Sequence, residues 1–312
     1  MKYYLVLIFM GLTMIVLGQQ LPQSTFFVYD QMTINPGYAG SQEGICVNVL
    51  ARNQWMGFDG APNTQKFDIH LPFKLFGLEH GAGFNLYNDK IGLSSDINAT
   101  LSYSFIKSVG NGKLGIGIGA GIVNESLSGT WEAIDNTTDP VIPSTSSKGT
   151  IAFALNLGAF YKTSNVFLGL SVMNVNAGKI SAKADEGKQE YAHLARQFNI
   201  TAGYNYQLAN PLFEIQPAIL ISSIISSTQI SVNATLRYRG RFWGGVGYRH
   251  TDAVTTFIGA NIIDGLNLGV SYDITTSKIA KYDDGSVEIF VRYVFKMGIK
   301  RDYDHYRSIR YL

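Results

Sequence analysis

Residues 97–105 carry the sequence Ile-Asn-Ala-Thr-Leu-Ser-Tyr-Ser-Phe, in which apolar and polar side chains alternate strictly. The same alternation recurs over residues 229–238, and residues 287–295 place Val, Ile, Val, Tyr and Phe at every second position. Side chains of a β-strand point to opposite faces in turn, so a period of two puts all the apolar groups on one face. These stretches therefore predict strands with one apolar and one polar face.

Along the rest of the chain, the same pattern predicts fourteen strands: 45–54, 64–72, 80–90, 95–107, 113–125, 149–162, 166–175, 196–207, 212–222, 228–238, 241–250, 253–262, 266–274 and 286–296. Long polar loops (126–148, 176–195 and 275–285) follow odd strands, whereas tight turns (163–165, 239–240 and 264–265) follow even ones. Long loops at one rim and short turns at the other are typical of outer-membrane barrels. We therefore predict an all-β protein, a transmembrane antiparallel β-barrel of about fourteen strands. A large soluble β-sandwich is the alternative.

Aromatic residues cluster near one end of the predicted strands, on their apolar face. They are Tyr103, Phe105, Tyr161, Tyr204, Tyr206, Tyr238, Phe242, Tyr293 and Phe295. Rings gathered at one height form the girdle that membrane barrels place at the headgroup boundary.

Composition excludes several classes of protein. Only 15 % of the 312 residues are charged, and the formal net charge of +2 gives no field that would attract nucleic acid. The aromatic and β-branched content excludes a disordered chain, and past residue 18 no apolar run is long enough for a transmembrane helix.

The two ends of the chain depart from the strand pattern. Residues 1–18 resemble a secretory signal peptide, with Lys2 before an apolar core and cleavage expected before Gln19; a short membrane anchor is the alternative. We expect residues 19–44 to be a periplasmic or plug segment, residues 45–296 the barrel, and residues 297–312 a periplasmic tail. The tail offers Arg301, Tyr303, Tyr306 and Arg307 as docking residues, unless both termini are merely disordered.

Motifs of catalysis are scarce. The five histidines do not have the spacing of metal ligands, and the sequence contains no nucleophile elbow. Cys46 is interpreted as a small apolar strand residue. We therefore expect no enzyme, no metal and no cofactor. Inward charges are interpreted as lumen-filling ion pairs: Lys66, Asp68, His70, Arg237, Arg241, Arg249, Glu288 and Arg292. Glycine at every second position from Gly115 to Gly121 predicts a bare inner face, against which we expect Phe26, Phe27 and Tyr38 to pack.

Two short motifs are more specific than the strand pattern. Residues 35–41 begin with Asn35 and Pro36 and contain Gly37 and Gly40, which predicts a tight turn with positive φ available at the glycines. Residues 52–64 span the first loop and contain Arg52, Gln54, Trp55, Gly57, Phe58, Gly60 and Pro62, with Arg52 and Gln54 expected to face the lumen. With these motifs the chain resembles the PorP/SprF family, outer-membrane proteins of the type IX secretion and gliding machinery of Bacteroidota.

The resemblance implies a non-enzymatic outer-membrane barrel that supports export or surface anchoring of secreted proteins or adhesins. It also implies partners in the periplasmic lipoprotein ring, in addition to outer-membrane lipid and the cargo. The two motifs would either close the barrel or contact a partner. The alternatives to this function are a passive porin-like or FadL-like channel for small molecules, and a barrel enzyme.

Overall fold

The structure, a computed structural model, describes residues 22–57, 59–127, 147–184 and 187–296. In this part of the chain there are one helical turn (Gln31–Ile34), two 3-10 turns (Pro36–Tyr38 and Lys278–Lys281) and seventeen strands. The strands are β1 (Gly44–Asn53), β2 (Asn63–Leu75), β3 (Leu78–Ile91), β4 (Ser94–Val109), β5 (Gly112–Leu127), β6 (Ser147–Lys162), β7 (Val166–Met173), β8 (Lys179–Ala184), β9 (Gly187–His193), β10 (Gln197–Tyr204), β11 (Tyr206–Gln207), β12 (Phe213–Ile224), β13 (Ser227–Tyr238), β14 (Phe242–Arg249), β15 (Ala253–Ile263), β16 (Leu266–Thr275) and β17 (Ser286–Lys296). No helix within these ranges is long and apolar enough to cross a membrane.

Fourteen strands form the wall of a closed antiparallel barrel. Strands β1 to β7 pair in sequence, β10 pairs with both β7 and β12, and β12 to β17 continue the wall. Closure comes from β1 and β17, which pair from Gly44 opposite Lys296 to Asn53 opposite Val287. Strands β8 and β9 form a separate hairpin, and β11 extends the wall beside β12. The predicted fold class and strand number are therefore confirmed.

The outer face of the wall is apolar. Leu101 is 68 % exposed and Ile151 and Ile258 are each 66 % exposed, whereas the inward neighbours Thr100 and Ser102 are buried. A ring of exposed aliphatic side chains around a closed barrel is stable in lipid, because lipid removes it from water. The wall therefore spans a membrane, and the soluble-sandwich alternative is wrong.

Exposed aromatic rings lie towards both ends of the wall: Phe198, Tyr248 and Tyr272 near the long-loop end, and a second group near the short-turn end. In this second group, Tyr103, Tyr204, Tyr206, Phe242 and Phe295 are all between 43 % and 56 % exposed. Their position matches the girdle expected at the membrane boundary. We call the short-turn rim periplasmic and the long-loop rim external, since short turns face the periplasm in such barrels.

Tight turns follow even-numbered strands of the fourteen-strand wall, and the long loops follow odd-numbered ones, as predicted. Phe76–Gly77 and Arg239–Gly240 are two-residue turns with positive φ at both positions, the geometry that suits the twist of a hairpin. Arg241 is exposed just past its turn, so its predicted inward position is wrong: the two-residue alternation continues in sequence beyond the rim of the wall. The prediction of a loop over residues 176–195 is wrong in part, because this stretch contains the hairpin of β8 and β9. β8 alternates over only six residues, and β9 has no alternation.

Candidate functional site

The lumen is occupied by residues 22–43, which we call the lumenal segment. Residues 24–27 and 30–40 of this segment are buried. It forms hydrogen bonds to ten wall strands on all sides of the barrel, namely β1, β2, β4, β6, β7, β10, β13, β14, β16 and β17. A segment bonded all around the wall fills the interior in the way that a core fills a globular domain.

The external end of the segment is held by the carboxylate of Glu288 on β17. This carboxylate accepts hydrogen bonds from the hydroxyl of Ser24, the backbone N–H of Thr25 (2.9 Å) and the backbone N–H of Phe26 (3.2 Å). It also forms an ion pair with Arg52 of β1 at 2.9 Å. Each carboxylate oxygen therefore receives two donors, and bonds to an ionised acceptor are stronger than neutral ones.

A second carboxylate, Asp273 on β16, completes a buried charge cluster. It lies 2.6 Å from Arg52 and 3.1 Å from Arg249, and accepts a hydrogen bond from the Thr25 hydroxyl at 3.0 Å. The side chains of Arg52, Arg249, Asp273 and Glu288 are each at most 2 % exposed. The two buried cations and two buried anions balance one another, which is the condition for burying charge without a large desolvation penalty. We call these four residues the anchor cluster. Arg249 also pairs with the less buried Asp252 at 3.1 Å.

An ion pair from β2, the strand next to β1, holds the middle of the segment. Lys66 of β2 lies 2.6 Å from Asp30, and both side chains are 2 % exposed. The same ammonium donates to the carbonyl of Pro22 at 3.0 Å, so it links the start of the segment to Asp30.

The first sequence motif lies entirely inside the wall. The Asn35 side chain accepts from the Gly37 N–H at 2.9 Å and donates to the Ala159 carbonyl at 3.0 Å. A Cβ on Gly117 would come within 2.4 Å of the Pro36 backbone. Because the glycines of β5 carry no side chains, the backbone of this motif can lie directly against their face of the wall.

Gly37 and Gly40 are required for different reasons. A Cβ on Gly37 would lie 2.9 Å from the carbonyls of Gly115 and Gly158, while its φ is not in the positive region, so the need is for space. Gly40 has a φ of +74° and also packs closely on Gly81. Only Gly40 therefore matches the expected positive φ.

The aromatic residues of the segment pack elsewhere than on the glycine face, which corrects the sequence-based expectation. Phe26 packs with Leu50, Trp243, Phe257 and Phe290, with ring centroids 4.6 Å apart for the Phe26–Phe290 pair. Phe27 packs with Ile34, Ala218 and Leu220, and Tyr38 contacts Phe160 and His70. Rings pack preferentially against rings and branched side chains, which supply more contact than a glycine strip does.

The periplasmic end of the segment is held through Arg292. Its Nε donates to Cys46 Sγ at 3.2 Å, and a terminal nitrogen donates to the Tyr38 hydroxyl at 3.1 Å. The carbonyl oxygen of the Gln42 amide, in the orientation that satisfies its neighbours, accepts from Lys162, Tyr38 and Arg292. Cys46 is a buried free thiol, as the sequence predicted.

The second motif forms a clasp between neighbouring external loops. Trp55 N–H donates to the Ser286 hydroxyl at 3.0 Å, and Met56 exchanges backbone bonds with Gly285 and Asp284. On its other side, the Gly60 carbonyl accepts from Gly92 N–H at 2.9 Å. Gly57 and Gly60 have φ values of 111° and 81°, which only glycine adopts without strain.

The remaining motif residues support this clasp. Pro62 is buried and its carbonyl accepts from Gln54 N–H at 2.9 Å, which closes the loop. Gln54 itself is half-buried at the rim, while Arg52 points into the lumen. These contacts are with the barrel itself. Phe58, the tail residues Arg301, Tyr303, Tyr306 and Arg307, and the predicted signal peptide lie outside the described residues.

Several site residues were not singled out from the sequence. Asp273 shares the two-residue alternation of β16 with the buried Ser271, so its inward position was available from the pattern. Ser24, Thr25 and Asp30 precede the first strand and carry no periodic signal. Among the described residues, no group of three or more His, Cys, Asp or Glu side chains is arranged to hold a metal ion.

Comparisons with known proteins agree with this architecture. A family model described as "Type IX secretion system membrane protein PorP/SprF" matches residues 16–293. No curated protein matches the chain. Among solved structures, the chain is similar to the CymD monoaromatic hydrocarbon channel, with 10 % identity, a TM-score of 0.51, and coverage of 86 % of this chain and 93 % of that one.

The Ralstonia pickettii toluene transporter TbuX has 12 % identity, a TM-score of 0.48 and coverage of 84 % of this chain and 92 % of that one. A Pseudomonas aeruginosa FadL homologue has 10 % identity, a TM-score of 0.47 and coverage of 89 % and 100 %. Identities this low show a shared fold alone.

Proposed function

We propose that this chain, which belongs to the PorP/SprF family of type IX secretion system membrane proteins, is a closed docking barrel rather than a pore. The protein lies in the outer membrane and is a membrane component of type IX secretion. On this proposal it has no enzymatic role, and it supports the export or surface anchoring of secreted proteins or adhesins, including those used in gliding.

The observation that carries the proposal is the filled lumen. Between the lumenal segment and strands β10, β12 and β13 there is a cavity of about 20 Å³, room for one water molecule. An extended polypeptide needs a path about 10 Å wide, comparable to the spacing of packed sheets. Cargo would therefore use the barrel as a platform and cross the membrane elsewhere.

Partner contacts, on this proposal, lie at the two rims. The tail, residues 297–312, follows β17 at the periplasmic rim, where the periplasmic lipoprotein ring would meet it. The turn at Phe76, which is 93 % exposed, adds apolar area at the same rim. At the external rim, the clasp of residues 54–62 offers a stiff surface for cargo or adhesin.

Conductance of the purified full-length protein in a planar bilayer tests the proposal against the passive-channel alternative. We expect a closed baseline, with openings only after residues 22–30 are deleted. Steady openings of the intact protein would contradict a docking barrel. In the native bacterium, the chain truncated after residue 298 should insert normally while secretion falls.

A further inference from the structure

The wall is incomplete on one side of its external half. Strand β6 spans Ser147–Lys162, but its ladder with β7 extends only from Lys162 to Leu157. Beyond Leu157, the edge of β6 has no β7 residues beside it. This gap lies between β6 and the connection from β7 to β10.

The side-chain amide of Asn176 bonds to the backbone of β6 where a neighbouring strand would otherwise do so. Asn176 Oδ1 accepts from the Leu155 N–H at 2.9 Å, and its Nδ2 donates to the Phe153 carbonyl at 2.7 Å. Val175 N–H donates to the Leu155 carbonyl at 2.7 Å. The edge is satisfied as far as Phe153, whose carbonyl packs closely against Gly178, and β8 lies beside β6 beyond this point. An open cleft lies next to this contact.

The cleft has a volume of about 740 Å³ and mixed walls. Its apolar part includes Phe153, Leu194 and Ile225, and its basic part consists of Lys179, His193 and Arg196. None of the described residues that line the cleft is acidic. Arg196 Nε donates to the Val175 carbonyl at 2.9 Å, which holds the guanidinium at the mouth of the cleft.

The cleft lies at the height of the external membrane interface. Phe153 is 52 % exposed on the lipid-facing side, eight residues along β6 from Tyr161 in the periplasmic girdle. At a rise of about 3.3 Å per residue and a tilt of about 40°, eight residues span roughly 20 Å of the ~25 Å apolar band.

We propose that this cleft binds a phosphorylated lipid of the outer leaflet, of the lipid A type. An acyl chain would lie against Phe153, Leu194 and Ile225. The phosphate would meet Arg196, whose planar guanidinium pairs with phosphate oxygens, supported by His193 and Lys179. A lipid is favoured over a soluble anion because the basic side chains border an apolar cleft that faces the membrane.

The test measures retention of lipid A by the purified full-length protein, using native mass spectrometry after detergent exchange. We expect the wild-type protein to retain one lipid A and to bind dephosphorylated lipid A more weakly. Arg196→Gln should lower the affinity by about tenfold or more, the effect of losing one charge-assisted hydrogen bond. Lys113→Gln, at an exposed cation on the periplasmic rim, serves as the matched control and should leave retention unchanged.

Heat modifiability on gels verifies folding, so that loss of lipid is not mistaken for loss of the barrel. Equal retention by Arg196→Gln and wild type overturns the proposal, as does equal binding of dephosphorylated lipid A. Displacement of lipid A by millimolar inorganic phosphate alone would identify a free-anion site and overturn the lipid assignment. None of these results depends on the role of the protein in secretion.

Discussion

Replacing Glu288 with Gln should release the external end of the lumenal segment. Each Glu288 oxygen receives two donors: the Ser24 hydroxyl and Phe26 N–H at one, and Thr25 N–H and Arg52 at the other. A glutamine accepts at only one end, so its NH₂ group must face two donors. The substitution keeps the shape of the side chain but removes the negative charge that attracts Arg52 and the donors of the segment.

The magnitude follows from the burial of the anchor cluster. Removing one partner of a buried ion pair costs about 3–5 kcal/mol, and Arg52 keeps Asp273, so we take the lower value. A change of ~3 kcal/mol raises the population of the released segment by roughly 140-fold. Since the segment fills the lumen, release should appear as current.

Single-channel recording in planar bilayers measures this population as open time. We expect Glu288→Gln to open far more often than the wild type. The matched control is Glu79→Gln, which removes the same charge from an exposed pair with Lys113, where little stability is at stake. A folded Glu288→Gln protein that stays as closed as the wild type would refute the anchoring role, and so would equal openings in the control.

Three further predictions follow from the wall, the glycine face and the tail. Leu101→Arg, at a lipid-facing site, should lower the free energy of unfolding in liposomes by about 2–4 kcal/mol. Ile225→Arg, at the external tip, should lower it by only about 0–1 kcal/mol. An equal loss of stability in the two variants would contradict the position of the wall in the membrane. Gly117→Ala should cost about 1–3 kcal/mol by overpacking and expose the lumenal segment to protease. Gly119→Ala, where a Cβ would meet only side chains at 3.2 Å or more, should protect the segment as in the wild type. Truncation after residue 298 should leave a heat-modifiable barrel in the membrane and reduce secretion of cargo; undiminished secretion would exclude the tail as the docking element.

Strand positions could be read from the sequence because lipid imposes a strict periodicity. Residues 97–105 alternate without exception, and the predicted strand over 95–107 lies within β4. The hairpin of β8 and β9 was not predictable in this way, because it lies outside the fourteen-strand wall and the sequence of β9 does not alternate.

The interior of the barrel was only partly predictable. Periodicity placed Arg52, Arg249 and Glu288 on the inward face, and glycine spacing indicated room beside β5. The choice of partner was not predictable, because contacts such as Thr25 with Asp273 join residues far apart in the chain. Phe26 packs on residues of β1, β14, β15 and β17, and Phe27 packs on residues of β12, which no local pattern specifies.

The anchor cluster also has a consequence for how the protein assembles. Arg52 and Glu288 are direct cross-strand neighbours at the junction of β1 and β17, so they come together only when the first and last wall strands join. Until then, Ser24 and Thr25 lack their complete binding partner. Docking of the segment and closure of the wall therefore stabilise each other. Such coupling favours a barrel whose lumen is filled when its wall closes, which would limit leakage through newly inserted barrels.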